Sequence, residues 1–92
     1  MRYALGIDER ALRELSELPH DIRTRVRARI RSLAHDPRPA NSQQLSGRLR
    51  GLRKLRVGSY RVAYVVDDDV AQVVVRAVGH RRNFYDVVLR RF

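Results

Sequence analysis

The stretch Leu52–Val66, LRKLRVGSYRVAYVV, decides the fold. Its centre, Gly58-Ser59, is a two-residue turn signal of the Gly-X kind. Both flanks read as strands. Arg50–Val57 mixes basic and apolar residues, and Tyr60–Val66 is rich in β-branched and aromatic ones. A two-residue turn sets the register: Val57 pairs with Tyr60, Arg56 with Arg61 and Lys54 with Ala63. Directly opposed residues project to the same face. One face therefore carries Leu55, Val57, Tyr60, Val62, Tyr64 and Val66, and the other gathers Lys54, Arg56 and Arg61.

Downstream, Asp67–Asp69 makes a second turn, and Val70–Val78 is a strand apolar enough to be central. A two-residue turn at Asp68-Asp69 sets Arg76 beside Arg61. A three-residue turn sets Val75 there and sends Arg76 toward the helices, and the sequence leaves both open. Asn83–Arg91 fits a final helix with Tyr85, Val88 and Phe92 packing inward. Upstream, Arg2–Ile7 reads as a first strand. Asp8 fits an N-cap for a helix over Glu9–Leu18, with Ala11, Leu12, Leu15 and Leu18 on one face. Pro19 suits the start of a second helix, His20–His35, striped by Ile22, Val26, Ile30 and Leu33, with five arginines on its other faces. The DPRP run at Asp36–Pro39 stops it, and Ala40–Gly47 reads as loop. The expected architecture is one α+β domain over residues 1–92, in the order β-α-α-β-β-β(-α). An antiparallel-dominated sheet would carry a helical hairpin on one face and leave the other free for binding.

Bulk composition agrees. Ninety-two residues suit one modest core. With 43% hydrophobic and 33% charged residues, the chain reads as soluble and globular. No apolar run approaches the roughly 18 residues of a membrane span, and the first ten residues turn polar too soon for a secretory signal. Cysteine is absent, which excludes disulfides and fits a reducing cytoplasm. No histidine pair has metal-ligand spacing, and no Ser/His/Asp set or phosphate-binding glycine loop is visible. No metal and no cofactor are expected. The net charge is +10, from 20 basic residues of which 19 are arginine; Lys54 is the single lysine. Six basic residues and no acidic one lie between Arg48 and Arg61. Such a one-signed segment suits phosphates.

Two stretches, LRKLRVGSYRVAYVVDDD (Leu52–Asp69) and VGHRRNFY (Val78–Tyr85), resemble RelE-type toxins of the RelE/ParE superfamily. The resemblance spans nearly the whole chain. It implies a ribosome-dependent endoribonuclease that cuts mRNA in the decoding site. It also implies an acidic, RelB-like antitoxin and a cytoplasmic setting. Carried over by position, Lys54, Arg61, Arg81 and Tyr85 are the expected catalytic residues, and Arg53, Arg56 and His80 the expected RNA contacts. One branch of the family carries a second lysine two positions before the one matching Lys54. Here that position is Leu52, and Arg53 and His80 are the nearest residues to compensate.

Cleavage by a 2′-hydroxyl needs a base, charge stabilisation at the phosphorane and a proton for the leaving oxygen. Arginine clamps phosphate but does not deprotonate, whereas lysine among other cations is easier to deprotonate. That is a reason for one lysine in an arginine-rich chain. Lys54 is expected as base or phosphorane stabiliser, Arg61 as phosphate clamp and Arg81 as the charge on the leaving side. Tyr85 is expected to stack on a base or orient its neighbours, and Arg56 to support. Two alternatives remain: a ParE-like inhibitor of DNA gyrase on the same fold, and a non-catalytic basic nucleic-acid-binding module. The antitoxin is expected to wrap the arginine-rich second helix or displace the terminal segment near Tyr85.

Overall fold

The computed structural model describes residues 2–92. In chain order it contains β1 (Ala4–Ile7), α1 (Glu9–Ser16), α2 (His20–Ser32), β2 (Ser42–Gln44) and a one-turn 3-10 helix (Gly47–Leu49). Then come β3 (Arg53–Val57), β4 (Tyr60–Asp67), β5 (Gln72–His80) and α3 (Phe84–Arg91). The strands form one sheet in the order β1-β5-β4-β3-β2. β1 runs parallel to β5, and the other three pairs are antiparallel.

The hairpin at the centre has the register its turn dictates. Val57 pairs with Tyr60, Arg56 with Arg61 and Lys54 with Ala63. Gly58 sits at φ +59°, a left-handed conformation that only glycine adopts without steric cost. The apolar face packs on the α1–α2 hairpin. Leu55, Val57, Val62 and Tyr64 join Ala11, Leu15, Val26, Ile30 and Leu33 in one core, with Tyr60 and Val66 packed against it. The buried Tyr64 hydroxyl donates to the Pro37 carbonyl (2.7 Å), which ties the proline-bounded loop to the sheet. Leu12, expected in this core, is 49% exposed; helix α1 needs only Ala11 and Leu15 fully buried.

Three features of the strands and their connections depart from the sequence reading. Residues 42–44 are not loop: they form β2, an edge strand pairing Ser42 with Leu55, Gln43 with Lys54 and Gln44 with Arg53. A polar edge strand lacks the apolar alternation that marks strands in sequence. Arg50 to Leu52 lies before β3, in the turn after the 3-10 helix. The β4–β5 connection is longer than either alternative, with Asp67 opposite Gln72. A bulge then leaves Arg76 as the extra residue, because Tyr64 pairs with Val75 but Ala63 with Ala77. The inward alternation of Val73 and Val75 skips to Val78. Arg76 pairs with Asp8 and lies over the Phe92 ring, 4.8 Å from its centroid. Asp8 is thus an N-cap by position, but its carboxylate serves Arg76.

The second face is only partly free. Helix α3 packs on it through Phe84 and Val88, in a second core with Leu45, Leu49, Leu52, Ala63 and Ala77. Alanine at 63 and 77, both essentially inaccessible, lets the helix approach the strands closely. Phe84 rather than Tyr85 packs inward; Tyr85 is 51% exposed. Among the described residues no helix is long and apolar enough to cross a membrane.

Candidate active site

Three chain segments converge at the margin of the second core. Strand β3 supplies Lys54 and Arg56, β4 supplies Arg61, and the turn between β5 and α3 supplies Arg81 and Arg82. The first turn of α3 adds Tyr85. Lys54, Arg61, Arg81, Arg82, Phe84 and Tyr85 line one cleft of about 420 Å³. Lys54, Arg56 and Arg61 also line a neighbouring cleft of about 340 Å³, whose far wall is Ala40 to Gln43.

Each side chain is aimed by a backbone cause. Lys54 and Arg56 share a face because every second residue of a strand projects to the same side. Arg61 joins them by cross-strand pairing with Arg56. Its guanidinium Nη1 donates to the carbonyls of Gly58 and Tyr60, both at 2.9 Å, so the hairpin turn holds the side chain in place. The Arg81 N–H donates to the Ser59 carbonyl (2.8 Å), which anchors the next segment to that same turn. Buried Phe84 then fixes the start of α3 and leaves the adjacent Tyr85 ring standing in solvent.

The electrostatics are one-sided. Burial pushes the Arg61 guanidinium pKa down, and the charges of Arg56 and Arg81 add to the shift. Among the described residues the ion pairs are Arg38–Asp68, Arg76–Asp8 and Arg91–Glu14. None involves a cation of this cluster. Like charges opposed on a sheet are destabilising, so the fold keeps an uncompensated cationic surface beside an exposed aromatic ring. Phosphate and an unpaired base are the partners that suit those two features.

The structure gathers some of the expected site residues and not others. Lys54, Arg56, Arg61, Arg81 and Tyr85 are brought together. Arg53 and His80 are not. Arg53 lies opposite buried Tyr64 and donates to the Ser42 hydroxyl at 2.9 Å. His80 lies opposite Tyr60 on the α1–α2 side, edge-on to its ring with centroids 5.2 Å apart. Its Nδ1 accepts from the Arg82 N–H (3.2 Å), which closes the turn that carries Arg81. Leu52, at the position of the branch's second lysine, is 5% exposed in the second core. Arg82 and Gln43 also line the clefts and were not among the residues expected from the sequence. Only the missed strand β2, whose Gln43 pairs with Lys54, pointed to the latter.

The family model described as ParE toxin of type II toxin-antitoxin system, parDE, matches residues 5–85. The mRNA interferase toxin RelE of Escherichia coli strain K12 is 34% identical over 86 residues, covering 88% of this chain and 85% of that protein. Among solved structures, the RelBE2 toxin–antitoxin complex from Mycobacterium tuberculosis superimposes with a TM-score of 0.80 at 30% identity. It covers 88% of this chain and 100% of that one. The intact E. coli RelBE complex gives a TM-score of 0.70 at 31% identity, covering 85% and 95%. The chain therefore belongs to the RelE/ParE superfamily and is a RelE-type toxin of a type II toxin–antitoxin system.

Proposed function

We propose that the protein is a ribosome-dependent endoribonuclease that cuts mRNA in the decoding site and so inhibits translation. The observation that carries this reading is the unneutralised group of Lys54, Arg56, Arg61 and Arg81 beside the exposed Tyr85 ring. The 2′-hydroxyl oxygen attacks the adjacent phosphorus, the bond to the 5′-oxygen breaks, and a 2′,3′-cyclic phosphate and a 5′-hydroxyl result. Lys54 serves the attacking side, as base for the hydroxyl proton or as the cation nearest the phosphorane. Arg61, pre-aimed by the turn carbonyls, clamps the scissile phosphate. Arg81 stabilises the charge on the leaving oxygen, which takes its proton from water. Tyr85 stacks on a base, and Arg56 is a supporting phosphate contact. No histidine joins the cluster, so positioning of the message by the ribosome supplies much of the rate.

The physiological partners on this reading are the ribosome with its mRNA and an acidic, RelB-like antitoxin, in the cytoplasm. Relatives solved as RelB complexes support the last of these. The test is to add antitoxin-free protein to programmed ribosomes and map mRNA 5′ ends by primer extension. Cuts at decoding-site codons, absent without ribosomes and lost in Arg81→Ala, are expected. The matching family model is described by a ParE toxin, which keeps gyrase inhibition as the second reading. DNA breaks with no RNA cleavage would establish it.

A further inference from the structure

Lys54 and Arg61 stand in the common wall of two clefts. A phosphate clamped there has one nucleotide on each side, and the two clefts are the two places for them. The cleft toward α3 offers the Tyr85 ring. The other is walled by Ala40, Asn41, Ser42 and Gln43 with Arg56. Of its three neutral polar side chains, two are committed to the fold. The Asn41 amide donates to the Arg56 carbonyl at 3.0 Å. The Ser42 hydroxyl donates to Pro39 and accepts from Arg53. Gln43 is different. It lies directly opposite Lys54 on β2, projects to the same face, and among the described residues its amide has no partner. Its neighbour Gln44 faces the other way and closes a turn by donating to the Arg50 carbonyl at 2.7 Å.

We propose that this second cleft is a base-reading subsite, in which the Gln43 amide pairs with the edge of the unpaired nucleotide across the cut from the one held by Tyr85. The inference rests on the nuclease reading above. A carboxamide presents a donor and an acceptor side by side, the pattern of a base edge. Unpaired RNA is read along such edges, whereas stacking on an aromatic ring is indifferent to sequence. Discrimination among bases therefore belongs to Gln43, and sequence-tolerant grip to Tyr85. Because β2 is a solvent-facing edge strand, the Gln43 side chain can change without disturbing either core.

Single-turnover cleavage on programmed ribosomes tests this. Messages carry each of the four bases, or an abasic site, at either nucleotide flanking the cut. The wild type should prefer one base by about five-fold or more at one flanking nucleotide. Gln43→Ala should equalise the four bases there. Tyr85→Ala should remove the penalty for an abasic site at the other nucleotide. If Gln43→Ala leaves the preference intact, slows all messages equally, or acts at the same nucleotide as Tyr85→Ala, the subsite is wrong. Should Gln43→Ala fail to fold, Gln43→Thr suits a strand and also removes the amide. A folded wild type that makes no cuts on any message overturns the nuclease reading itself, and the subsite with it.

Discussion

Replacing Arg56 by glutamine should make the protein more stable while weakening its grip on RNA. Arg56 and Arg61 face each other directly across β3 and β4, and neither has an acidic partner among the described residues. Opposed Cβ atoms lie about 5 Å apart and long side chains diverge from there. With the charges about 8 Å apart in a water-like dielectric, the repulsion is about 0.5 kcal/mol. Salt at about 0.1 M, with a Debye length near 10 Å, lowers it to about 0.2 kcal/mol. Partial burial of Arg61 raises the figure again, so about 0.2–0.5 kcal/mol is the expected gain. In a domain this small that is about 1–4 °C in Tm. Arg61→Gln should move the other way. That side chain gives two hydrogen bonds to the Gly58 and Tyr60 carbonyls, and losing them costs about 1 kcal/mol or more. The two members of one opposed pair thus shift stability in opposite directions. The assay is thermal unfolding of antitoxin-free protein at 20 mM and 1 M NaCl, alongside binding to unpaired RNA at several salt concentrations. Arg56→Gln should lower the salt slope of binding by about 0.7, one single-strand phosphate contact. If Arg56→Gln destabilises, or if its gain persists undiminished at 1 M NaCl, the reasoning from uncompensated charge is refuted.

Lys54→Arg keeps the charge and removes the base. If Lys54 accepts the 2′-hydroxyl proton, single-turnover cleavage should fall by about 10²-fold or more with RNA affinity unchanged. Full activity in Lys54→Arg would assign it a purely electrostatic role. Adjacent residues at the start of α3 should behave in opposite ways. Phe84→Ala should destabilise by about 3–5 kcal/mol in urea titration. Tyr85→Ala should leave stability nearly unchanged and weaken RNA binding by about 1–3 kcal/mol. Arg38 and Tyr3, which hydrogen-bond Asp68, hold its carboxyl below the ordinary range. A depressed carboxylate stabilises above its unfolded pKa of about 3.9 and loses that contribution as pH falls through the folded value. Asp68→Asn should therefore flatten the acid limb of the stability profile below about pH 4, seen as urea midpoints converging between wild type and variant. Ala71, at φ +53° in the turn before β5, should gain up to about 1 kcal/mol on replacement by glycine; a fall in the urea midpoint would count against strain there.

What the sequence disclosed and what it hid divide along physical lines. The central hairpin was legible because one glycine-led turn sets a register, and register sets both faces at once. The α1–α2 core followed from helical spacing. Strand β2 was not legible, since Ser42, Gln43 and Gln44 owe their extended form to pairing with β3 and not to any preference of their own. The bulge at Arg76 was hidden for a related reason: alternation along Val73–Val78 is broken by one residue, and apolar residues on both sides of Arg76 suit either register. Helix α3 was expected, but not the side it packs on. Ala63 and Ala77 are where that helix rests, and nothing in their small size marks them for it in the sequence.

The placement of α3 also bears on Leu52. The side chains of Leu52, Lys54 and Arg56 follow one another at strand spacing, yet they meet three environments. Leu52 is buried against the α3 core, Lys54 is half-buried at its margin, and Arg56 is exposed. A lysine at position 52 would bring its charge into the apolar cluster or reach out beside Arg48 and Arg76, and burying an unpaired charge or setting it against like charges is unfavourable. The packing of this chain thus disfavours a second lysine at position 52. Lys54, the single lysine of the chain, then stands half-buried between the buried leucine and the exposed arginine, on the wall of the cleft that α3 borders.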